Sequence, residues 1–540
     1  MLAEQKKELN DAIRAIAEGE ILYGRERGVQ IVAYLNGEKI VEVCAGSTAS
    51  GSQVTPSTLF MPYSVTKGVA AMIIARAIDQ SGGKVRYDDP IPKHWPAFAA
   101  NGKDNITIAE ALGHRAGLRA RSLCPLAAFR LILSGRHREV MASGIDWIAQ
   151  CTPSWVVARP GHGVSRCGYA RYHPTTWSWV AGGLYQHIVA LRGGGEAAAP
   201  SDARPHIREG AAELAVALGF DPSELRIGEL GSGPIEHARL RVPHLAIWLN
   251  LIFSMRRVGL AAMDQPRPFN YFFVCLLPLL FTILFAYTIL AHLESILWCF
   301  IGNRAFFARL CLPSSNGTFT ARALGGMYGA LANKGRLADG RPVLSEAMYW
   351  ELRRNACDPT LDVPGSPCEA RQTSGFAPWL GRKVEAHVDA LLAGRTLESQ
   401  AAQGRAGEAV TRGKRPLRRR CGRLAILGHT GMGGCCGYAD LSTGLAIVVL
   451  KDAFWPELYT GGTAPGFVFH ATDEVLRTKL GLTSLFTEPV TEGASTSGVA
   501  LAAGRPHRDD SVQQGGGQQQ GGGQRRRPAR SPAAGRPPRS

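Results

Sequence analysis

Ser64-Val65-Thr66-Lys67 places a hydroxyl and an amine three residues apart, and on a helix that spacing sets both side chains on one face, one turn from each other. A serine hydroxyl is a poor nucleophile at neutral pH until a neighbouring base takes its proton, and the positive end of a helix favours the negative charge that then develops. About one Ser-x-x-Lys match is expected by chance in a chain this long, and Ser81-Gly82-Gly83-Lys84 is a second. Its glycines fall where the helix should end, whereas Ser64 follows Phe60-Met61-Pro62-Tyr63 and opens the helix, which is the context activation needs. Two further elements carry suitable groups: Tyr172-His173-Pro174, ahead of the apolar run Trp177 to Leu184, and His429-Thr430-Gly431 at the end of a predicted strand, followed by Met432-Gly433-Gly434. Each residue also has a plainer reading: Ser64 as a helix cap, Lys67 as a surface charge, Tyr172 as an interfacial aromatic bonded to backbone, and His429 and His114 as structural histidines.

The elements that would position these groups are legible around them. Gly28 to Gly46 alternates apolar and polar residues about Asn36-Gly37, a dipeptide that accepts the positive φ of a two-residue turn, and predicts an antiparallel hairpin. Ser64 to Gln80, rich in Ala, Val, Met and Ile and closed by Ser81-Gly82-Gly83, predicts a buried helix. Thr107 stands three residues before Glu110, the reciprocal capping arrangement of a helix start. Arg423 to Gly428, Cys435 to Asp440 and Leu445 to Leu450 predict short antiparallel strands, and Phe467 to Leu480 a closing helix. Met1 to Gly19 has Leu9, Ile13 and Ile16 at helical spacing and lacks the apolar core of a secretory signal. The expected architecture is α/β (α+β): an antiparallel sheet built from both ends of the chain, flanked by helices, with a helical subdomain from the middle.

Taken in order, a Ser-x-x-Lys element, a tyrosine element and a Lys or His followed by Thr-Gly on a strand resemble the serine β-lactamase and penicillin-binding-protein superfamily. Phe60 to Gly68, Gly113-His114-Arg115-Ala116-Gly117-Leu118, Asn316-Gly317-Thr318 through Ala332, and Gly428 to Gly434 are similar to segments of its class C β-lactamase-like, esterase-type members. The resemblance implies a β-lactamase/transpeptidase-like fold in which Ser64 attacks a carbonyl and forms an acyl-enzyme, with Lys67 and Tyr172 sharing the base and acid work. Either Tyr172 acts as an anion favoured by nearby cations, or Lys67 is itself the neutral base. Backbone amides of Ser64 and Met432 would form the oxyanion hole, and His429, Thr430, Gly431 and Met432 would line the substrate pocket. Two departures narrow the substrate. Tyr172-His173-Pro174 stands where many lactamases have Tyr-x-Asn, and His429 stands where they have a lysine, a cation only when protonated. The expected substrate is therefore a small carboxylic ester or amide rather than a β-lactam. No cofactor or metal is implied. The rival expectation is a catalytically inactive binding or scaffold module.

Several stretches depart from this frame. Phe269 to Leu293 holds no charged residue between the flanks Arg267 and Glu294, and roughly 25 residues at 1.5 Å each reach across a bilayer. Pro278, Asn270 and His292 speak against insertion. Three readings stand: a membrane attachment, an insertion foreign to the domain such as an imperfect gene model produces, and a buried core helix. The expected division is an N-terminal helix (1–27), the β-lactamase-like domain in three pieces (28–252, 303–356 and 424–486), a hydrophobic insertion (253–302), a low-complexity insertion (357–423) and a disordered basic tail (487–540). With 45% hydrophobic and 19% charged residues the chain can bury a large core. Much of the formal charge of +17 sits in Arg412 to Arg423 and Arg505 to Arg539, among Gly, Gln, Pro and Ala, so solvated chain is expected there and no nucleic-acid partner. The 12 cysteines include no Cys-x-x-Cys pair and read as reduced thiols, which points to an intracellular location. Oligomeric state is not encoded in any of these patterns.

Overall fold

The computed structural model describes residues 1–49, 51–118, 137–153, 172–192, 206–228, 238–241, 293, 296–297, 299–357, 426–454 and 467–482, all within one compact unit, Met1–Pro489. Strands β1 (Gly28–Leu35) and β2 (Glu38–Gly46) form the expected hairpin, with Asn36 and Gly37 at φ of 51° and 79° in its turn. β3 (Leu225–Ile227) and β4 (Gly317–Phe319) make a separate two-stranded ladder. β5 (Ile426–Thr430), β6 (Cys436–Asp440) and β7 (Leu445–Lys451) complete a five-stranded sheet in the order β2-β1-β7-β6-β5, antiparallel throughout. The two ends of the chain meet where β1 pairs with β7, Val29 opposite Lys451 through Leu35 opposite Leu445.

Side chains alternate across a strand, and here both faces of the sheet are covered. Val29, Ile31 and Ala33 of β1 join Ile447 and Val449 of β7 against the helices Ala3–Leu22 and Phe467–Lys479. Val32 and Tyr34, with Ala446, Val448 and Leu450, face the helices Val65–Asp79 and Ala321–Ala332 in the main core. The C-terminal helix is also pinned by a buried network: Arg477 donates to Asp473 (3.1 Å), to Tyr438 Oη (3.0 Å) and to Asp440 (3.1 Å), and Tyr438 donates to Asp473. Burial holds the Asp473 carboxyl above its ordinary range although Arg477 pulls the other way. Beyond the sheet, helices Trp177–Ala190 and Ile207–Leu218 pack on Val65–Asp79, and Ile108–Leu112 and His137–Gln150 pack on Trp177–Ala190, together forming the helical subdomain.

Element ends differ slightly from the sequence expectations. The first helix runs on to Leu22, the helix after Ser64 starts at Val65 with Ser64 as its cap, and β6 begins at Cys436, just after Cys435, whose thiol lies 3.4 Å from the Lys451 backbone. Among the described residues no helix is long and apolar enough to cross a membrane. The apolar run Phe269–Leu293, except Leu293, lies outside them, as do 358–425 and the tail from 483. Cys44, Cys151, Cys299, Cys311, Cys435 and Cys436 are free thiols.

Candidate active site

Ser64 caps the helix Val65–Asp79, half-buried, directly after Tyr63, whose backbone sits at φ 45°. A left-handed non-glycine residue costs about 1–3 kcal/mol and persists only where its surroundings hold it. The Tyr63 ring is packed against Phe307 and Phe454, at 6.4 and 5.7 Å between centroids. Its carbonyl accepts from Thr66 Oγ1, which in turn accepts the Gly317 amide at 3.0 Å. Phe60 exchanges two backbone bonds of 2.9 Å with Phe319 of β4. The turn carrying Ser64 is thus clamped on the β4 side before the helix begins.

One turn along, Lys67 is fully buried, and its Nζ lies 3.3 Å from Ser64 Oγ, 3.2 Å from the Pro174 carbonyl and 2.9 Å from the Ser314 carbonyl. Tyr172 Oη donates to Ser64 Oγ at 2.8 Å, and Lys67 Nζ sits 4.8 Å from the centre of the Tyr172 ring. The structure therefore brings together the three residues that the sequence singled out, and adds two carbonyls that it did not. Ser314 is held by its own side chain, which accepts from Ser178 Oγ (2.6 Å), while its amide donates to that same hydroxyl (3.1 Å). Asn316 folds the preceding loop by donating to the Phe307 and Leu310 carbonyls and accepting from the Leu312 amide. Backbone oxygens carry no side-chain signature, so neither Pro174 nor Ser314 was identifiable as a Lys67 partner.

His429, Thr430 and Gly431 end β5 beside this group. His429 is buried, its Nδ1 donates to the Thr430 carbonyl at 2.6 Å, and its ring centre lies 6.3 Å from that of Tyr172. Burial, and then the neighbouring Lys67 charge, push its pKa down to about 3. His429 is consequently neutral at physiological pH. Gly431 passes so close to the turn before Ser64 that a Cβ there would stand 1.8 Å from the Pro62 carbonyl oxygen. That approach sets Met432, half-buried, beside the turn that carries Ser64. Among the described residues, the Ser64 and Met432 amides donate to no acceptor. The Gly431 amide is spent on the Cys435 carbonyl at 2.8 Å.

The second Ser-x-x-Lys match is structural. Ser81 Oγ accepts the Val85 amide at 3.1 Å in the turn that ends the helix, with Gly82 and Gly83 at positive φ and Lys84 exposed. His114 and His173, read as structural or left unassigned in the sequence, lie next to Tyr172: the His114 ring is 4.8 Å from the tyrosine ring.

Residues 9–184 match the Beta-lactamase family model. The chain is 28% identical over 332 residues to the esterase/beta-lactamase LipL of Mycobacterium tuberculosis, a match covering 61% of this chain and 63% of that protein. A family VIII carboxylesterase shares the fold with a TM-score of 0.55 at 19% identity, over 87% of this chain and 97% of its own. The crystal structure of SurE gives 0.50 at 15% identity, over 91% of this chain and 81% of its own. Residues 9–184 are thus similar to the Beta-lactamase family, and the chain shares its fold with the family VIII carboxylesterase.

Proposed function

We propose that this protein is a serine hydrolase of the β-lactamase-related, esterase-like type, cleaving a carboxylic ester or amide through an acyl-enzyme on Ser64. The observation that carries the reading is the Ser64 hydroxyl held between Tyr172 Oη at 2.8 Å and Lys67 Nζ at 3.3 Å at the head of a helix. Ser64 Oγ attacks the carbonyl carbon as its proton passes to the Lys67–Tyr172 pair. The amides of Ser64 and Met432 stabilise the oxyanion, each such donor contributing about 2.7–4 kcal/mol in comparable sites. Tyr172 returns the proton to the leaving alcohol or amine as its bond to the acyl carbon breaks. A water molecule then attacks the acyl group by the same route and restores the Ser64 hydroxyl. The names of the esterase/beta-lactamase relative and of the carboxylesterase neighbour support the ester class. So does the neutral His429, which offers no cation to the carboxylate that a β-lactam carries.

The test is intact-protein mass spectrometry after a fluorophosphonate, on the wild-type chain and Ser64→Ala. An adduct mapped to Ser64 and missing from the variant is expected. A well-folded wild-type chain without an adduct returns the chain to the scaffold reading. Turnover of penicillin without turnover of nitrophenyl esters refutes the substrate class.

A further inference from the structure

We infer that His114 and His173 form a buried imidazole pair that positions the Tyr172 hydroxyl against Ser64. The inference rests on Tyr172 as the proton carrier proposed above.

Both rings are buried. The His173 amide donates to His114 Nδ1 at 2.9 Å, the two Nδ1 atoms are 3.2 Å apart, and the Leu118 amide donates to His173 Nε2 at 2.7 Å. An amide N–H can only donate, so His114 Nδ1 and His173 Nε2 are acceptors and carry no proton. The ring proton of His173 therefore sits on Nδ1, aimed at His114 Nδ1, and that of His114 sits on Nε2. One tautomer of each neutral ring is compatible with all three contacts, with the single His114 Nδ1 lone pair shared between two donors. A proton added to either accepting nitrogen sets N–H against N–H.

The amide that donates to His114 belongs to the peptide joining Tyr172 to His173, so this bond fixes the plane of the peptide that follows the tyrosine. The same His114 ring lies 4.8 Å from the phenol ring at 41° and 6.4 Å from the Trp177 indole at 31°. Tyr172-His173-Pro174 is then held at three points: the phenol on Ser64, the His173 backbone and ring on His114 and Leu118, and the Pro174 carbonyl on Lys67. Pair and phenol share one rigid support. His114 sits at φ 59° just past the helix Ile108–Leu112, whose start is capped by Thr107 and Glu110. The Trp177 indole ties that helix down by donating to the Leu112 carbonyl at 3.1 Å. A strained left-handed residue against the reacting groups is the kind of backbone a fold retains where geometry matters.

The experiment compares His114→Ala, His114→Asn and His173→Gln in the full chain. Asparagine tolerates the left-handed backbone and puts an acceptor oxygen near the Nδ1 position. Glutamine puts one near Nε2 of residue 173. Tyrosine is labelled with carbon-13 at Cζ, the Tyr172 resonance is assigned with Tyr172→Phe, and nitrophenyl acetate turnover is followed in parallel. In His114→Ala the Tyr172 resonance should shift or broaden while the other tyrosines hold. Its kcat should fall about tenfold or more with KM near the wild-type value, since a small misplacement of a reacting group is costly. Asn at 114 should restore most of both signals, and Gln at 173 should keep both near wild type. An unmoved Tyr172 resonance with unchanged kcat in folded His114→Ala overturns the inference. So does a displacement of all tyrosines alike that His114→Asn does not reverse, because that marks a general packing role. If wild-type protein shows no ester turnover, the proposed function fails, and the resonance still decides whether the pair places the phenol.

Discussion

Gly431→Ala isolates the closest approach in the site. An ideal Cβ at 431 would lie 1.8 Å from the Pro62 carbonyl oxygen, where real Cβ contacts do not fall below 3.0 Å, so the strand end and the nucleophile turn must part by about 1.2 Å. Neither side is a flexible side chain: one is the end of β5 and the other is the backbone two residues before Ser64. The displacement moves the Met432 amide relative to the Ser64 amide. Losing one oxyanion donor costs roughly 10²–10³ in kcat, and misplacement of about 1 Å reaches a similar size. We expect kcat for nitrophenyl butyrate to fall at least about 100-fold, fluorophosphonate labelling of Ser64 to slow in step, and stability to drop by about 1–3 kcal/mol from overpacking. Gly19→Ala, in the helix Ala3–Leu22 at a position where a Cβ meets nothing within 4 Å, is the control and should leave both unchanged or melt slightly later. A folded Gly431→Ala protein with kcat within about twofold of wild type, against the cost expected for a lost donor, refutes the placement of the oxyanion hole.

Lys67→Met should cost about 10²–10⁴ in kcat as acid–base transfer is lost. Ser314→Ala should leave kcat unchanged, since Lys67 binds the backbone oxygen there, while the melt falls by about 1 kcal/mol for the bond to Ser178. His429 binds its proton at about 3 when folded against an ordinary 6.5. Between those values the unfolded chain holds a proton there that the folded chain lacks, so this residue weakens the fold as pH falls from 6.5, by about 1 kcal/mol per unit. The loss of stability between pH 6.5 and 4.5 should be smaller in His429→Asn by urea titration, and equal losses in the two proteins would contradict the neutral histidine. Arg477→Met strands Asp440 and Asp473 on the sheet face away from Ser64. It should cost about 3–5 kcal/mol in unfolding free energy with ester turnover of the folded fraction intact.

What could be read from the chain was what local pattern specifies. The Asn36-Gly37 hairpin, the Thr107 and Glu110 cap and the Val65–Asp79 helix appeared at or within one residue of their expected ends. Ser64 and Lys67 were paired correctly because the three-residue spacing and the helix start are properties of one short segment. Tyr172 required more. It lies 108 residues from Ser64, and only the ordered set of three elements gave a reason to bring it there. His114 was read as structural and His173 only as the middle residue of the tyrosine element, since no local pattern tells that a ring 59 residues away will accept a particular amide.

The sequence by itself determined the element types and the order of the reactive residues, because periodicity, turn chemistry and helix caps act over a few residues. Only the tertiary structure decided how those residues are held and charged. The carbonyls that cradle Lys67 come from 107 and 247 residues away and are backbone groups that any residue type supplies. The neutrality of His429 follows from burial and from the Lys67 charge, both consequences of packing. Gly431 is needed because Pro62, far off in the chain, occupies the space a Cβ would take. Each is a long-range contact whose free energy depends on solvent exclusion and exact position, which local spacing does not encode.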